Sequence, residues 1–245
     1  MRYSYNGIPI NTAKNTHEAV FSLLSKERIN TIVDIPCGAG AFTSRLKDSG
    51  YTNISSVDVV SYLKIEHDGF RVGDMNEKLP FDDNSQDAVV SIDGIEHIAR
   101  QFDFVREVSR ILKSGGEFVV STPNTSSLRS RFRWLMTGHH HKCIVPLDEG
   151  NPNPTHHIAM LSFPELRYML HTNGFKIVEV TTNRVKFINL FFALLVPFIF
   201  VATWRSYSRH EKNPLQKKRN KDIIKQMFSF PILFGEIMVI KALKK

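Results

Sequence analysis

Short apolar runs alternate along the chain with stretches in which apolar residues recur at helical spacing. The runs are rich in β-branched residues, which is typical of buried strands. They predict strands at 31–36, 54–60, 70–73, 87–92, 117–121, 175–180 and 232–242. The helical spacing predicts helices at 41–48, 102–112 and 162–172. Strands that alternate with helices predict an α/β fold, with helices packed on a central sheet.

A glycine turn follows the first predicted strand. The segment from Val33 to Gly40 reads VDIPCGAG, so Gly38 and Gly40 lie between a strand and a helix. Glycines at such a turn let backbone N–H groups approach a ligand closely. Asp58 ends the second strand, 18 residues after Gly40. A carboxylate there can accept hydrogen bonds from both ribose hydroxyls of a nucleoside ligand.

Two residues around this turn distinguish between nucleotides. Thr43 occupies the position of the third glycine in the dinucleotide fingerprint, where glycine permits the close helix–strand packing used around a pyrophosphate. Asp34 precedes the glycines, and its carboxylate would repel a pyrophosphate but suits a ligand with ammonium and sulfonium groups. These residues therefore favour S-adenosylmethionine over a nicotinamide dinucleotide.

Residues 30–123 resemble the class I S-adenosylmethionine-dependent methyltransferases, in particular the ubiquinone-pathway O-methyltransferases and the methyltransferase type 11 or 23 group. The matching features are Asp34–Gly40, Asp58, Gly73-Asp74, the run LPFDDNSQD at 79–87 and LKSGG at 112–116. The resemblance implies a Rossmann-like, doubly wound sheet of seven strands, mostly parallel with an antiparallel last strand. It also implies that the glycine turn cradles the methionine part of the cofactor, that Asp58 binds the ribose, and that Asp74 and Met75 border the adenine.

An acidic run with a histidine ends the fourth predicted strand. Asp93-x-x-Glu96-His97 is similar to the corresponding run of the ubiquinone-pathway O-methyltransferases, and Asp93 is counted among the cofactor-binding residues. Asp93, Glu96 and His97 could hold Mg²⁺ that acidifies a hydroxyl. Alternatively, His97 is a direct general base, or the run is structural. His157 is the second predicted catalytic residue, because its loop returns to the ligand edge of the sheet in this family.

The stretch 124–161 lacks periodicity and is rich in proline, glycine, histidine and arginine. A loop of that length inside a compact domain usually covers or binds something, so a substrate loop or lid is predicted. Its arginines suit a phosphate or carboxylate attached to a ring or lipid, or they form a solvated basic face. Its histidines and Cys143 complete no recognisable zinc pattern. The residues concerned are Arg129, Arg131, Arg133, His139–His141, His156 and His157.

The formal net charge of +8 is unevenly distributed. Residues 176–245 hold 14 basic and 4 acidic residues, a balance of +10, whereas residues 1–175 hold 18 and 20, a balance of −2. The fourth strand also lacks the Asn/Asp-Pro-Pro-aromatic run common in enzymes that methylate DNA bases. A nucleic-acid partner is therefore not expected.

An uncharged apolar segment of 18 residues, 187–204, lies inside the basic end. That length is at the lower limit for a transmembrane helix. A single crossing would separate the two last strands, which pair in the family, so we expect the segment to lie in the interface of an anionic membrane. A core helix and a homodimer interface are the alternatives, and the scarcity of polar positions weakens the first.

The chain is long enough for one domain. We expect an N-terminal helical cap at 1–29, a cofactor-binding core at 30–123, the lid at 124–161 and an apolar and basic insertion at 183–228. Two cysteines indicate a reducing compartment, and the resemblance makes Cys37 a packing residue. The predicted protein is cytoplasmic, peripheral or monotopic on the membrane.

The predicted function is methylation of a hydroxyl or carboxyl on an amphipathic small molecule, either a quinone precursor or a lipid-linked or surface sugar. Two rival functions stay open. One is a non-catalytic, methyltransferase-like scaffold at membranes, and the other is a nicotinamide-dependent oxidoreductase.

Overall fold

The computed structural model describes residues 3–142, 146–209 and 211–245. Its strands are β1 (Tyr3–Tyr5), β2 (Ile8–Ile10), β3 (Thr31–Asp34), β4 (Asn53–Asp58), β5 (Phe70–Val72), β6 (Gln86–Ile92), β7 (Leu112–Pro123), β8 (Phe175–Thr182) and β9 (Ile237–Lys244). Its helices are α1 (Thr16–Ser22), α2 (Ala41–Asp48), α3 (Gln101–Ile111), α4 (Leu128–Thr137), α5 (Phe163–Thr172), α6 (Phe187–Leu190), α7 (Val196–Arg209), α8 (Pro214–Met227) and α9 (Phe230–Phe234). Short 3₁₀ turns lie at Lys26–Arg28, Ile95–His97 and Phe191–Leu195.

Seven of the strands form one sheet in the order β5-β4-β3-β6-β7-β9-β8. Neighbouring strands are parallel except around β9, which is antiparallel to both β7 and β8. This confirms the predicted Rossmann-like sheet with an antiparallel last strand. The strand order runs outwards from β3 and β6, so the crevice at their carboxyl ends is the switch point where such sheets bind ligands.

Each face of the sheet has its own hydrophobic core. Along β6, Val89 packs with Val33 and Phe118 in the core under α3 and α5. Its neighbours Ala88 and Val90 pack in the core under α1 and α2. Successive strand residues point to opposite faces, and both faces are covered. For this reason the strands read as continuous apolar runs.

The N-terminal segment differs from the predicted helical cap. β1 and β2 form a two-stranded antiparallel hairpin, and α1 follows it. Asn6 and Gly7 turn the hairpin with φ values of 48° and 78°. Asn-Gly is a strong local hairpin signal because both turn positions need positive φ. The prediction of a purely helical cap misses this signal.

Two elements near the C-terminal half also differ from prediction. The lid at 124–161 contains α4, which begins after Ser127, whose side chain accepts a hydrogen bond from Ser130 N. The last strand begins at Ile237 rather than at 232, because Phe230–Phe234 forms α9 with a proline in its first turn. The chain therefore enters the sheet as β9 five residues later than the apolar pattern predicts.

Phe187–Arg209 forms one helix of 23 residues, built from α6, a 3₁₀ turn and α7; we call it the apolar helix. It is long and apolar enough to cross a bilayer, and only 6% of its most apolar window is buried. Phe187, Phe191 and Phe198 are 89%, 70% and 75% exposed. The alternative of a core helix is therefore wrong. β8 and β9, on either side of the insertion, pair with each other as predicted.

Candidate functional site

The glycine turn joins β3 to α2 at the switch point of the sheet. Gly38 and Gly40 have φ values of 52° and 86°, which residues with side chains rarely adopt. A Cβ atom on Gly40 would lie 2.9 Å from Leu63 Cδ2, so a side chain there would also have to displace the tip of Leu63. At Gly38 none of the described atoms lies within 4 Å of the equivalent position. The turn is therefore open at Gly38, as the predicted cradle for a ligand requires.

Asp58 lies at the end of β4 beside this turn. Its Oδ2 accepts a hydrogen bond of 2.9 Å from Gly38 N, and its Oδ1 accepts one of 2.8 Å from Val59 N. Each carboxylate oxygen has a second lone pair, so both can accept further hydrogen bonds. The structure thus brings Asp58 and the glycine turn together, and its binding of a ribose stays a prediction.

Asp34 lies beneath the turn rather than on its surface. It is 1% exposed, and Thr43 Oγ1 donates a hydrogen bond of 2.7 Å to its Oδ2. Burial raises the pKa of Asp34 to about 7, against the lowering effect of the Thr43 hydrogen bond. Its contact with the cationic part of a ligand stays a prediction. The supporting role of Thr43 is one that the sequence pattern does not reveal.

Asp74 and Met75 follow β5 at the same edge. Asp74 Oδ1 accepts hydrogen bonds from the backbone and side-chain nitrogens of Asn76, at 2.7 and 3.0 Å. Asn76 Oδ1 in turn accepts from Ala99 N and Arg100 N, both at 3.1 Å. Met75 is 6% exposed. This chain of hydrogen bonds fastens the predicted adenine border to the segment that follows β6.

Asp93 and Glu96 follow β6, and the end of β7 supplies their partners. Ser121 Oγ donates to Asp93 Oδ1 at 2.6 Å, and Thr122 Oγ1 donates to Glu96 Oε2 at 3.0 Å. Glu96 is fully buried, and its Oε1 has no hydrogen-bond partner among the described residues. Burial raises the pKa of both acids, and the charge of Asp93 raises that of Glu96 further.

Ser121 and Thr122 are further candidate site residues, which sequence reasoning misses. Both are fully buried, although they end an apolar strand. A polar pair after such a run is the signal that could have identified them, because buried hydroxyls need hydrogen-bond partners.

His97 is held in one orientation by the lid. Its Nδ1 lies 3.0 Å from the carbonyl oxygen of His156. Because a carbonyl only accepts, Nδ1 carries the proton and Nε2 is the basic nitrogen. Burial lowers the pKa of His97, so the ring is neutral at neutral pH. The ring of His157 lies 4.7 Å away, centroid to centroid, and burial lowers the pKa of His157 to about 4. The two predicted catalytic histidines are therefore neighbours.

The structure regroups the predicted metal ligands. Among the described residues, ligand atoms of Glu96, His97 and His157 lie within 4.8 Å of one another, whereas Asp93 is bonded to Ser121 and is not in this set. Two of these three donors are imidazole nitrogens, and Mg²⁺ requires oxygen ligands. Glu96 also has a raised pKa. This donor set does not fit the predicted magnesium ion.

The lid at 124–161 is fastened over these residues. Ala159 N donates to the carbonyl of Glu96 at 3.1 Å, and Gln101 Nε2 donates to the carbonyl of Ala159 at 2.6 Å. Among the predicted lid arginines, Arg131 is largely enclosed: its Nε donates to the carbonyl of Ser126, and burial lowers its pKa. Cys143 lies outside the described residues.

Cys37 packs inside the domain, as predicted. It is 7% exposed, and burial raises the pKa of its thiol far above the ordinary value. A thiol in that state is a poor nucleophile.

Comparison with known proteins relates the sequence of this chain to a protein family. Residues 33–120 match the family model described as a methyltransferase domain. A Mycolicibacterium smegmatis protein named as a probable S-adenosylmethionine-dependent methyltransferase is 28% identical over 172 residues, which cover 66% of this chain and 59% of the relative. The mitochondrial ubiquinone biosynthesis O-methyltransferase of Dictyostelium discoideum is 26% identical over 147 residues, 48% of this chain and 46% of the relative. The chain thus spans less than two thirds of these relatives.

The fold is also similar to that of a methyltransferase of known structure. A solved structure of an S-adenosylmethionine-dependent methyltransferase from Mesorhizobium loti superimposes with a TM-score of 0.53 at 15% identity, covering 93% of this chain and 96% of that one. Family match, relatives and fold agree with the order of motifs around the glycine turn. Residues 33–120 thus form a methyltransferase domain, and the comparisons support a class I S-adenosylmethionine-dependent methyltransferase.

Proposed function

We propose that this protein transfers a methyl group from S-adenosylmethionine to a hydroxyl of an amphipathic small molecule at a membrane surface. The observation that carries the proposal is the neutral imidazole of His97, fixed at the carboxyl edge of the sheet with Nε2 as its basic nitrogen. A hydroxyl needs a base when it attacks, whereas a carboxylate does not. The name of the Dictyostelium relative, an O-methyltransferase, supports an oxygen acceptor.

The residues at the glycine turn fit the cofactor, because Gly38 is open and Asp58 presents a carboxylate beside it. When bound, S-adenosylmethionine supplies an electrophilic methyl group on a sulfonium. The protein's main task is then to orient the acceptor oxygen in line with that group. His97 Nε2 takes the hydroxyl proton as the oxygen–carbon bond forms and the carbon–sulfur bond breaks. The carbonyl of His156 keeps the ring in place and stabilises its protonated form.

The membrane part of the proposal rests on the apolar helix and α4. The rings of Phe132 on α4 and Phe192 on the apolar helix lie 5.3 Å apart, so the two elements form one surface. On α4, Trp134, Leu135 and Met136 are 54%, 73% and 66% exposed. An exposed apolar surface of this kind marks a membrane or protein contact.

The charge around this surface favours a bilayer as its occupant. α8 packs beside α7 and carries Lys217, Lys218, Arg219, Lys221 and Lys225. Each Lys or Arg near an anionic leaflet contributes about 1 kcal/mol of attraction. We therefore assign an anionic membrane surface to it, and a second copy of the chain is the outcome that would replace this assignment. A quinone precursor or a lipid-linked sugar fits an acceptor delivered from such a surface.

The first experiment is cofactor binding by calorimetry. We expect the purified protein to bind S-adenosylhomocysteine and not NAD. Binding of NAD alone would replace the proposal with an oxidoreductase, and binding of neither would leave a non-catalytic scaffold. Incubation with methyl-labelled S-adenosylmethionine and a membrane lipid extract then tests the reaction, with label in the organic phase as the expected result.

A further inference from the structure

A buried carboxylate at the carboxyl edge of the sheet gathers three cations. The side chain of Glu236 is 3% exposed. Lys142 Nζ and Lys186 Nζ lie 2.9 and 3.1 Å from its Oε1, and Arg184 Nε donates to its Oε2. Burial alone would raise the pKa of Glu236, but the hydrogen bonds from Arg184, Lys142 and Lys186 lower it to about 2. We call these three cations, Lys142, Arg184 and Lys186, the basic cluster.

The sheet topology places the basic cluster beside the candidate active site. Arg184 and Lys186 follow β8, and Glu236 precedes β9. Because β9 is antiparallel to its neighbours, these ends lie at the carboxyl end of β7. β6 is the next strand, and Asp93 follows it. The basic cluster and the acids of the site therefore lie along one edge.

Lys142 connects the basic cluster to the site. Burial has the largest effect on the pKa values of Asp93, Glu96 and His157, and the charge of Lys142 acts on all three. Its backbone has a φ of 103°, which a residue with a side chain rarely adopts. Such strain persists where the surroundings enforce it, and it concentrates at binding sites.

The basic cluster carries more positive charge than its carboxylate balances. Three cations share Glu236, and their side chains are 26%, 31% and 38% exposed, so a ligand can reach each of them. The neighbouring acids Asp93 and Glu96 form hydrogen bonds with Ser121 and Thr122, and neither is among the ion pairs of the basic cluster. Arg129 lies close enough to add to this positive charge. Burial has the largest lowering effect on the pKa of His141, and the charges of Arg129, Lys142 and Lys186 lower it further.

We propose that the basic cluster binds an anionic group of the acceptor, a carboxylate or a phosphate, next to the hydroxyl that is methylated. The inference rests on the proposed function and adds a charge to its substrate. A guanidinium with two ammonium groups suits either anion. Because the apolar helix begins directly after Lys186, the apolar part of the same molecule has a surface beside its charged end. The acceptor class is thus an anionic amphiphile.

The test measures binding of three probes of equal chain length: decyl phosphate, decanoate and the neutral decyl glucoside. Calorimetry is carried out below their micellar concentrations, with and without S-adenosylhomocysteine. We expect both anions to bind the wild type, and the glucoside to bind more weakly. Lys142→Gln should weaken the binding of decyl phosphate by about tenfold or more, since a hydrogen bond to a charged group contributes about 1.5–3 kcal/mol. Lys142→Arg should retain binding.

The matched control is Lys176→Gln, an exposed lysine at the start of β8, at the opposite end of this strand from Arg184, and it should leave probe binding unchanged. Equal affinity of wild type and Lys142→Gln for decyl phosphate, in a variant that melts like wild type, would overturn the proposal. So would equal affinity of the wild type for the glucoside and the phosphate.

Vesicles with phosphatidylglycerol separate a lipid headgroup from a soluble acceptor. Unchanged vesicle binding by Lys142→Gln, with lost decyl phosphate binding, supports a site for the acceptor. If Lys142→Gln loses vesicle binding and still binds decyl phosphate, the basic cluster binds a lipid headgroup rather than the acceptor, and the proposal is overturned. Failure to bind S-adenosylhomocysteine contradicts the proposed function instead, and the probe titrations without cofactor still report on the basic cluster.

Discussion

The hydroxyl of Thr43 donates a hydrogen bond of 2.7 Å to the buried carboxylate of Asp34. The same hydroxyl lies 2.7 Å from Ser56 Oγ on the neighbouring strand. Thr43 lies on α2, so these contacts fasten this helix to β3, which carries Asp34, and to β4, which carries Ser56. The residue that distinguishes this turn from a dinucleotide site also holds the turn together.

Removing this hydroxyl should destabilise the fold. Thr43→Val removes the side-chain donor to the buried Asp34 carboxyl and leaves only the backbone donor of this residue, and the loss of a hydrogen bond to a buried group costs about 1–3 kcal/mol. Urea denaturation measures the free energy of unfolding, and Thr43→Ser, which keeps the hydroxyl, serves as the control. Identical midpoints for the two variants would contradict the supporting role of Thr43.

Asp34 should make stability depend on pH. Burial raises its folded-state pKa to about 7 from the ordinary value of 3.8. The folded state therefore binds the proton more tightly, and its contribution to stability is full in acid and is lost as pH rises through about 7. Unfolding free energies measured between about pH 4 and pH 7 should show this loss in the wild type and not in Asp34→Asn. Parallel pH profiles for the two proteins would rule the effect out.

Asp58→Ala should weaken the binding of S-adenosylhomocysteine by about tenfold or more. The reason is that charge-assisted hydrogen bonds to the ribose are lost, together with the acceptor that holds Gly38 N. Calorimetry measures the affinity. The control is Asp82→Ala, an exposed acid away from the turn. An unchanged affinity in Asp58→Ala would remove this residue from the cofactor site.

His97→Gln should lower kcat by about 100-fold or more, the usual contribution of a general base, and leave S-adenosylhomocysteine affinity unchanged. Label transfer to the lipid extract provides the assay, and His139→Gln is the control. Because burial lowers the pKa of His97, wild-type turnover should be flat around neutral pH and fall in acid as the ring is protonated.

Chelation tests the competing role of the same residues. With His97 as base, EDTA leaves turnover unchanged. Loss of turnover that Zn²⁺ restores would instead make Glu96, His97 and His157 metal ligands.

Charging the apolar helix should release the protein from membranes. We expect Phe191→Asp and Phe198→Asp to shift the protein from the pellet to the supernatant when it is sedimented with phosphatidylglycerol vesicles. Val72→Asp is the matched control, because Val72 is 68% exposed on the opposite edge strand. A wild type that stays in the supernatant and elutes as a dimer would assign the apolar helix to a second copy.

Local signals in the sequence predict the sheet and the cofactor half of the site. The glycine turn, Asp58 and the run after β6 are each encoded within a few residues, so their positions follow from the strands that carry them. The basic cluster is different, because Lys142 meets Glu236 only through the placement of β9 between β7 and β8. Likewise, the replacement of Asp93 by His157 beside Glu96 depends on where the lid returns.

The insertion that carries the apolar helix leaves and rejoins the domain at one point. Val185 pairs with Gly235 in a single antiparallel bridge, and Glu236 N donates to the carbonyl of Arg184 at 3.1 Å. Met227 and Ile232 lie between these pairs and pack in the core of the domain, whereas the apolar helix is exposed. The apolar helix can therefore lengthen, shorten or be exchanged while β8 and β9 keep their register and the strands that position Asp58 and His97 stay in place.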